Sequence, residues 1–385
     1  MMNLSHGIHL SSVNSSSVSI FRGSLLILLL YTGCSGLTMD IRPLPKVEFG
    51  PVPPLEIAWT YNARAGFGPD APLLFEDNVL VATRQGELHV IDLATGKRGG
   101  TKRFGDAVNG SPAVIGKTIV VPIALGRRAL AAYDLDASDI RWRARGASVH
   151  TGVASVEDGG VFVNIAGEVQ RFSVEGGTVV WMHQLPGGMR VHAKPLVHDG
   201  LVIVAGDNGI VTALSLDDGT LHWSAEINLP IYAAPVAHNN KLVVSTTHGS
   251  LVSMNLDTGE IVWSTALEDE TVHFSSAAVD DELVIAGASD GVLRAFNIDT
   301  GSIKWIVQCS DALVAQPLIV GGTVYVGTMG SWFYAFDRAS GELLQEIELR
   351  GRVKSAIGLA SEGLIVLTEP RYVVRLSPVE IDDEV

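Results

Sequence analysis

Cysteine, charge and long apolar runs are all scarce in this chain of 385 residues, and each shortage excludes something. The only two cysteines, Cys34 and Cys309, lie far apart in different contexts, so the sequence does not predict a disulfide framework. We expect Cys309 to be a small buried hydrophobe, because it follows directly on a predicted strand at 304–307. Charged residues make up 18% of the chain and the formal net charge is −15, which argues against a nucleic-acid partner.

Catalytic signatures are missing as well. The chain contains no Gly-rich phosphate loop, no Gly-x-Ser-x-Gly nucleophile elbow and no adjacent pair of cysteines. It has no carboxylate-rich loop that would supply the oxygen ligands of calcium. We therefore expect neither enzymatic activity nor a bound cofactor. No segment shows a sustained helical period, which leaves an all-β fold.

A short motif recurs along almost the whole chain. Residues 255–263 have the sequence Asn-Leu-Asp-Thr-Gly-Glu-Ile-Val-Trp, and residues 297–305 have Asn-Ile-Asp-Thr-Gly-Ser-Ile-Lys-Trp. Looser copies place a glycine, or once a serine, at intervals of 39 to 42 residues: Gly96, Ser138, Gly177, Gly219, Gly259, Gly301 and Gly341. A period of this size predicts repeated supersecondary units in one continuous array.

Each copy has the pattern of a β-hairpin. An alternating strand runs into an acidic or amide residue that can start a turn, a glycine supplies the left-handed conformation, and a second strand carries the tryptophan. Because one such unit cannot bury both of its faces, we expect each tryptophan to fill the space between neighbouring units.

The two ends of the chain complete one another. Trp59 falls in the tryptophan column but has no preceding strands of its own, whereas residues 355–359, 364–368 and 372–376 form three strands with no fourth. The sequence therefore predicts an all-β, eight-bladed β-propeller of four-stranded antiparallel blades over residues 55–377. Pairing of the N- and C-terminal strands closes the ring and leaves no long exposed sheet edge.

The segments outside the propeller predict export. The apolar run at 24–31 is shorter than the ~20 residues that span a bilayer, and Thr-Gly-Cys-Ser-Gly follows it. This resembles a bacterial lipoprotein signal, which implies a signal peptide at 1–33, acylation of Cys34 and a place at the periplasmic face of the outer membrane. A plain secretory signal with an incidental cysteine is the alternative. We expect residues 34–54, which contain five prolines, to form an extended tether and residues 378–385 an acidic tail.

The repeat resembles that of PQQ-like eight-bladed propellers. Residues 295–301 (Ala-Phe-Asn-Ile-Asp-Thr-Gly) and 335–341 (Ala-Phe-Asp-Arg-Ala-Ser-Gly) carry it, and the resemblance covers about residues 55–377. In quinoprotein dehydrogenases such a propeller holds PQQ and calcium, so a PQQ- and calcium-dependent dehydrogenase is one alternative function. The fold itself hosts many functions and does not decide between them.

A more local resemblance points to a different class. Residues 188–195 and 206–214 resemble the Leu-Arg-Gly-x-Ser-Ala-Pro segment and the Gly-Gly-Asp-Asn-Gly-x-Val-x-Ala continuation of the BamB family. Members of that family are non-catalytic lipoprotein scaffolds beside the barrel-inserting protein BamA, and the Leu-Arg pair contacts BamA. The resemblance implies that Met189 and Arg190 contact a BamA-like partner.

The same resemblance extends to the next loop. We expect His192 and Tyr232 to bind the partner as well, although Pro230 and Tyr232 stand where the family carries acidic contact residues. The resemblance implies a propeller that is monomeric within a membrane-associated complex. A periplasmic propeller that binds an unknown ligand or protein is the remaining alternative.

A second column of residues stands just before each innermost strand and should ring one mouth of the central channel. The column contains Pro69, Asn109, His150, His192, Tyr232, His273, Val314 and Lys354. No carboxylate joins its histidines, so we expect the polar lining of a wet channel mouth rather than a metal site. Loops expected on the same face are rich in arginine and lysine, which would attract an acidic partner surface.

Overall fold

The computed structural model describes residues 50–105, 107–361 and 363–379, which belong to one compact unit within residues 35–385. The predicted signal peptide, Cys34, most of the tether and most of the acidic tail lie outside the described residues. The described part forms eight antiparallel sheets and one short 3-10 helix, Pro186–Gly188. None of it belongs to a helix with the length and apolar character that a membrane crossing demands.

The strands are numbered in chain order. Those of the first half are β1 (Leu55–Asn62), β2 (Leu73–Phe75), β3 (Asn78–Ala82), β4 (Glu87–Asp92), β5 (Arg98–Arg103), β6 (Ala113–Ile115), β7 (Thr118–Pro122), β8 (Arg128–Asp134), β9 (Asp139–Arg145), β10 (Ala154–Val156), β11 (Gly159–Val163), β12 (Glu168–Ser173), β13 (Val179–Gln184), β14 (Leu196–His198), β15 (Leu201–Ala205), β16 (Ile210–Ser215) and β17 (Leu221–Glu226). Those of the second half are β18 (Val236–His238), β19 (Lys241–Ser245), β20 (Ser250–Asn255), β21 (Ile261–Ala266), β22 (Ala278–Val279), β23 (Leu283–Gly287), β24 (Val292–Asn297), β25 (Ile303–Gln308), β26 (Leu318–Val320), β27 (Thr323–Gly327), β28 (Trp332–Asp337), β29 (Leu343–Glu348), β30 (Arg352–Val353), β31 (Gly358–Ala360), β32 (Gly363–Glu369) and β33 (Tyr372–Pro378).

Each group of four consecutive strands from β2 onward forms one blade, so β2–β5 are blade 1 and β26–β29 are blade 7. Blade 8 combines β30–β33 with β1. We name the strands of a blade A to D from the channel outward. Because neighbouring strands are antiparallel, the B–C turns and D–A loops lie at one end of the propeller, the D–A face, and the A–B and C–D turns lie at the other, the C–D face. The predicted eight-bladed propeller of four-stranded blades is confirmed.

Apolar side chains hold the blades in a closed ring. Eight buried clusters occur in the described part, and each joins two successive blades, including blades 7 and 8 and blades 8 and 1. The B strands are buried along their whole length, as in β15 and β27, because other blades cover both of their faces. The outer D strands alternate between exposed and buried residues, because only one side meets the next blade.

Strand β1 closes the ring by pairing with β33, as the sequence predicts. The antiparallel register runs from Leu55 opposite Pro378 to Asn62 opposite Tyr372, with one irregularity between Ile57 and Trp59. A side chain from blade 7 fixes the start of β1, since the Leu55 N–H donates to Gln345 Oε1 and Gln345 Nε2 donates back to the Leu55 carbonyl, each over 2.8 Å. Blade 8 therefore takes its outermost strand from the opposite end of the chain.

The tryptophan and glycine columns form one repeated contact between blades. The indole N–H of each D-strand tryptophan donates over 2.8 to 3.0 Å to a backbone carbonyl in the next blade, in six cases: Trp59, Trp142, Trp181, Trp223, Trp263 and Trp305. Its ring packs on the turn glycine of that blade, where φ is between 66° and 75° and a Cβ would lie 2.5 to 2.8 Å from the indole. The predicted packing of tryptophan between units is confirmed.

The C–D turns are built as the sequence predicts, with a side chain that starts the turn. Asn255 Oδ1 accepts hydrogen bonds from the backbone N–H groups of Asp257 and Thr258, at 3.0 and 2.9 Å. Asn297 Oδ1 accepts the corresponding pair in the next blade. These local bonds replace a strand partner at the point where the chain reverses.

The contact is absent at two interfaces. Between blades 7 and 8, Gln345 stands in the tryptophan column and bonds the Leu55 backbone instead. Between blades 1 and 2, both residues of the contact differ. Strand β5 carries Gly100 in the tryptophan column, and the facing C–D turn of blade 2 carries Ser138, also with a positive φ of 53°. Without an indole above it, the Ser138 position can hold a side chain. The serine at position 138 of the glycine column is thus explained by the absence of a tryptophan from β5.

The described end of the expected tether packs against blade 7. Pro51 is buried, and its carbonyl accepts a hydrogen bond from the Tyr325 hydroxyl. A Cβ on Gly50 would collide with Val320, which lies at the A–B turn of that blade. Residues 50–54 are therefore part of the propeller surface, and the chain enters the fold on the C–D face.

Exchanging the residues of the two turns tests the tryptophan–glycine contact. Gly259→Ser places a Cβ about 2.5 Å from Trp223 at a φ of 73°, and we expect a loss of about 2–4 kcal/mol from overpacking and backbone strain. Ser138→Gly removes a strained side chain that has no such neighbour, so its free energy of unfolding should change by less than about 0.5 kcal/mol. Urea unfolding of both variants measures this, and equal losses would contradict the contact.

Candidate protein-interaction site

The D–A loop from blade 3 to blade 4, residues 185–195, begins with a sharp reversal. Pro186 opens the 3-10 turn, and Gly187 and Gly188 have φ of 64° and 70°, which glycine adopts without steric cost. The Met189 N–H then donates to the Pro186 carbonyl over 3.2 Å. The reversal folds the loop back onto the blades.

Met189 faces the core and not the surface. Its side chain is 2% exposed and belongs to the cluster that includes Val161, Val163 and Val204. A Cβ on Gly206 would lie 2.4 Å from Met189 Cγ, so the neighbouring strand approaches it closely. The expected direct contact between Met189 and a partner does not fit this burial. Met189 instead anchors the loop between blades 3 and 4.

Arg190 is the exposed residue of the pair, and its backbone is fixed. The Arg190 N–H donates to Asp207 Oδ1 over 3.1 Å, and the Asp207 N–H donates to the Arg190 carbonyl over 3.0 Å. Asp207 lies in the B–C turn of blade 4, so this turn and the loop form one unit. None of the described carboxylates forms an ion pair with the Arg190 side chain.

His192 and Tyr232 lie together on two neighbouring loops. Their rings meet edge to face with centroids 4.4 Å apart, and His192 Nε2 lies 3.6 Å from Asp207 Oδ2. Tyr232 is 49% exposed, while Ile231 before it is fully buried and its N–H donates to the Gly206 carbonyl. Asp207 and Gly206 thus tie both loops to blade 4.

A cavity of about 500 Å³ lies between the loops of blades 3 and 4. Arg190, His192 and His150 line it, and Ile165 at its edge is 59% exposed. His150 is held by a 3.0 Å hydrogen bond between its Nε2 and the Ala124 carbonyl of blade 2. Sequence reasoning missed Ile165. The sequence could have indicated it, because an isoleucine in the turn at 164–167 lies between two strands and cannot enter the core of the blade.

The channel-mouth column comes together only in part. One cavity of about 330 Å³ is lined by Pro69, His192, Tyr232, Val314 and Lys354, and also by Asp70 and Lys194. The other predicted members do not line this cavity. Asn109 is half-buried beside blade 1, and His150 faces the cavity of Arg190. His273 is exposed, and its backbone N–H donates a 2.9 Å hydrogen bond to Ser289 Oγ.

The residues at the channel mouth do not fit a calcium site. Calcium takes six to eight oxygen ligands, and Asp70 supplies the one carboxylate among the described residues that line the cavity. Its Oδ2 already accepts a 2.8 Å hydrogen bond from the Ser111 N–H. The described part of the chain contains no group of three or more His, Cys, Asp or Glu side chains placed to hold a metal ion.

Cys309 has the environment expected from the sequence. It is buried among apolar side chains of blades 6 and 7, and burial raises the pKa of its thiol to about 12. A thiol with so high a pKa carries almost no thiolate at neutral pH and is a poor nucleophile.

Charge is divided across the D–A face. Its basic residues gather on blades 8, 1 and 2: Arg64, Arg84, Arg103, Arg127, Arg128, Arg145, Arg350, Arg352 and Arg371. Its acidic residues on blades 4 to 6 are Asp207, Glu268, Asp269, Glu270, Asp290 and Asp311, and the basic side also carries Asp70, Glu87 and Glu369. The basic face expected from the sequence is therefore one side of a two-signed surface, and Arg190 stands on the acidic side.

Comparison with known proteins identifies relatives of this propeller. The family model described as outer membrane protein assembly factor BamB matches residues 56–149, 126–234 and 228–366. BamB of Yersinia pestis is 26% identical over 228 residues, which cover 53% of this chain and 57% of the relative. The alignments thus span little more than half the length of the curated relatives that the chain matches.

Two solved structures share the architecture. BamB from Moraxella catarrhalis has a TM-score of 0.71 at 19% identity, over 84% of this chain and 99% of that one. Quinohemoprotein alcohol dehydrogenase from Comamonas testosteroni has a TM-score of 0.68 at 13% identity, over 86% of this chain and 78% of that one. At such identities both likenesses show the fold alone.

Proposed function

The chain belongs to the BamB family of outer membrane protein assembly factors, and from this premise we propose that it is a non-catalytic lipoprotein scaffold of the outer-membrane β-barrel assembly machinery. The observation that carries the proposal is the family match, which extends from residue 56 to residue 366. The proposed partner is a BamA-like protein, bound by D–A loops of blades 3 and 4.

The geometry of these loops supports the proposal. The backbone of Arg190 is fixed and its side chain is exposed, and the edge-to-face pair of His192 and Tyr232 lies on the same loop and the next one. Arginine and tyrosine are the residues that most often dominate binding energy in protein interfaces. Little ordering entropy is lost on binding, because Asp207 and Met189 already hold the loop in place.

The proposal includes a lipid anchor at Cys34 that holds the propeller at the periplasmic face of the outer membrane. Mass spectrometry of the mature protein should give a chain that begins at Cys34 and carries acyl groups on that residue. Cys34→Ser should yield a protein without the added lipid mass that is released from membranes. A mature wild-type chain that starts elsewhere with a free amino group would rule out the anchor.

Reversal of the exposed charge tests the contact. Arg190→Glu should lower co-purification of the BamA-like protein from solubilised membranes at least about tenfold, because a carboxylate replaces the guanidinium at the proposed centre of the interface. Its melting temperature should stay within about 1 °C of wild type, since the side chain is exposed and forms no ion pair with a described residue.

Two matched variants separate binding from folding. Met189→Ala, at the neighbouring buried position, should cost about 2–4 kcal/mol of stability. Arg352→Glu makes the same charge change on blade 8 and should leave the yield of partner unchanged. Equal yields from Arg190→Glu and Arg352→Glu would remove Arg190 from the interface. Saturable PQQ binding with turnover of an alcohol, measured with added calcium, would contradict the scaffold function itself.

A further inference from the structure

A second groove opens on the D–A face, between blades 1 and 2. Phe104 and Gly105 form one wall, and the turn from Leu125 to Arg128 forms the other. The groove encloses about 470 Å³, which lies within the usual range for ligand pockets of about 300–1,000 Å³. Its floor is apolar, because Phe104 and Ile123 are each 2% exposed, and Leu125 at the rim is 55% exposed.

Three guanidinium groups line the groove around this apolar floor. Arg127, Arg128 and Arg145 all line the groove and are all exposed. None of them forms an ion pair with a described carboxylate. A cluster of like charges raises the free energy of the folded chain, and a bound anion lowers it again.

The register of blade 2 sets two of these arginines directly opposite each other. In every blade the first residue of strand C pairs with the last residue of strand D. From blade 1 to blade 8 these pairs are Glu87 with Arg103, Arg128 with Arg145, Glu168 with Gln184, Ile210 with Glu226, Ser250 with Ala266, Val292 with Gln308, Trp332 with Glu348, and Tyr372 with Asn62. Among these eight pairs, blade 2 alone joins two like charges, an arrangement that destabilises a strand pair.

A fourth arginine adds to the positive field. Arg143 crosses to blade 1, where it donates a 2.8 Å hydrogen bond to the Phe104 carbonyl. Burial and the nearby positive charge of Arg128 lower the pKa of Arg143. This is the same interface in which Gly100 stands in the tryptophan column.

We propose that the groove between blades 1 and 2 binds an extended segment of a partner protein in which acidic side chains alternate with apolar ones. The guanidinium groups of Arg127, Arg128 and Arg145 pair with the carboxylates, and the apolar floor between Phe104, Ile123 and Leu125 takes an aliphatic side chain. Guanidinium–carboxylate pairs are bidentate and directional, which suits recognition of a specific segment.

The groove and the described N-terminal segment lie on opposite faces of the propeller. Residues 50–54 dock at the A–B turn of blade 7, on the C–D face, and the groove opens on the D–A face.

Fluorescence anisotropy with the full-length purified protein tests the proposal. The probe is a labelled ten-residue peptide that carries four glutamates around a central leucine. It should bind saturably, and replacing its glutamates by glutamine or its leucine by serine should weaken binding. Arg145→Glu should lower the affinity at least about tenfold and should also raise the melting temperature, because a carboxylate would then face Arg128.

Two further variants complete the experiment. Arg141→Glu makes the same charge change on the same strand, beside Asp134 and outside the groove, and should leave the affinity within about twofold. Arg127→Glu, in the turn, should weaken binding as Arg145→Glu does. Absent peptide binding, or equal effects of Arg145→Glu and Arg141→Glu, would overturn the proposal. Arginine-dependent binding of phosphatidylglycerol vesicles in place of the peptide would assign the groove to a membrane and would equally overturn it.

Discussion

The pairing of β1 with β33 is the constraint on which the rest of this structure depends. It joins residues from opposite ends of the propeller, Leu55 with Pro378, and supplies the outer strand of blade 8. Two of the eight inter-blade clusters contain residues of blade 8, so an open end would expose apolar surface on both sides of it. Because the entropy of closing a loop rises only slowly with its length, apolar burial at two interfaces can compensate for bringing such distant segments together.

Closure of the ring also determines which loops lie next to one another on each face. Once the number and order of blades are set, every D–A loop has a defined neighbour, and residues far apart in sequence meet at the channel mouth and at the cavities between blades. The loop of Arg190 is held by Asp207 on blade 4, and the basic groove needs blades 1 and 2 side by side. Both candidate surfaces are therefore products of the ring and would not exist on an isolated blade.

The interface between blades 1 and 2 shows how one missing contact changes a surface. At six of the eight interfaces between blades, an indole covers a turn glycine. Here Gly100 and Ser138 replace that pair, and Arg143 extends across the gap to the Phe104 carbonyl. Arg127, Arg128 and Arg145 line the groove at this same interface. We infer that this charge is retained for binding, because the like-charged pair of Arg128 and Arg145 has no evident structural benefit.

Much of the fold could be predicted from the sequence, because period, turn chemistry and hairpin pattern are local properties. The blade count, the ring closure through Trp59 and the packing of the tryptophans followed from them. The burial of Met189 could not be predicted in the same way, since it depends on a reversal at Gly187 and Gly188 and on space beside Gly206. The division of charge across the D–A face required the spatial order of the blades. The docking of Pro51 on Tyr325 depends on a contact between residues 274 positions apart, which proline content alone does not indicate.

Amide hydrogen exchange of the native protein tests the central claim most directly. Strand β21 is the outer strand of blade 5. It follows the other strands of that blade directly in the sequence, so it provides an internal standard. A closed ring predicts that the amides of β1 exchange about as slowly as those of β21, because both form complete ladders with an inner strand. Exchange of β1 more than about a hundredfold faster, with β33 still protected, would show that the ring is open and would contradict this account.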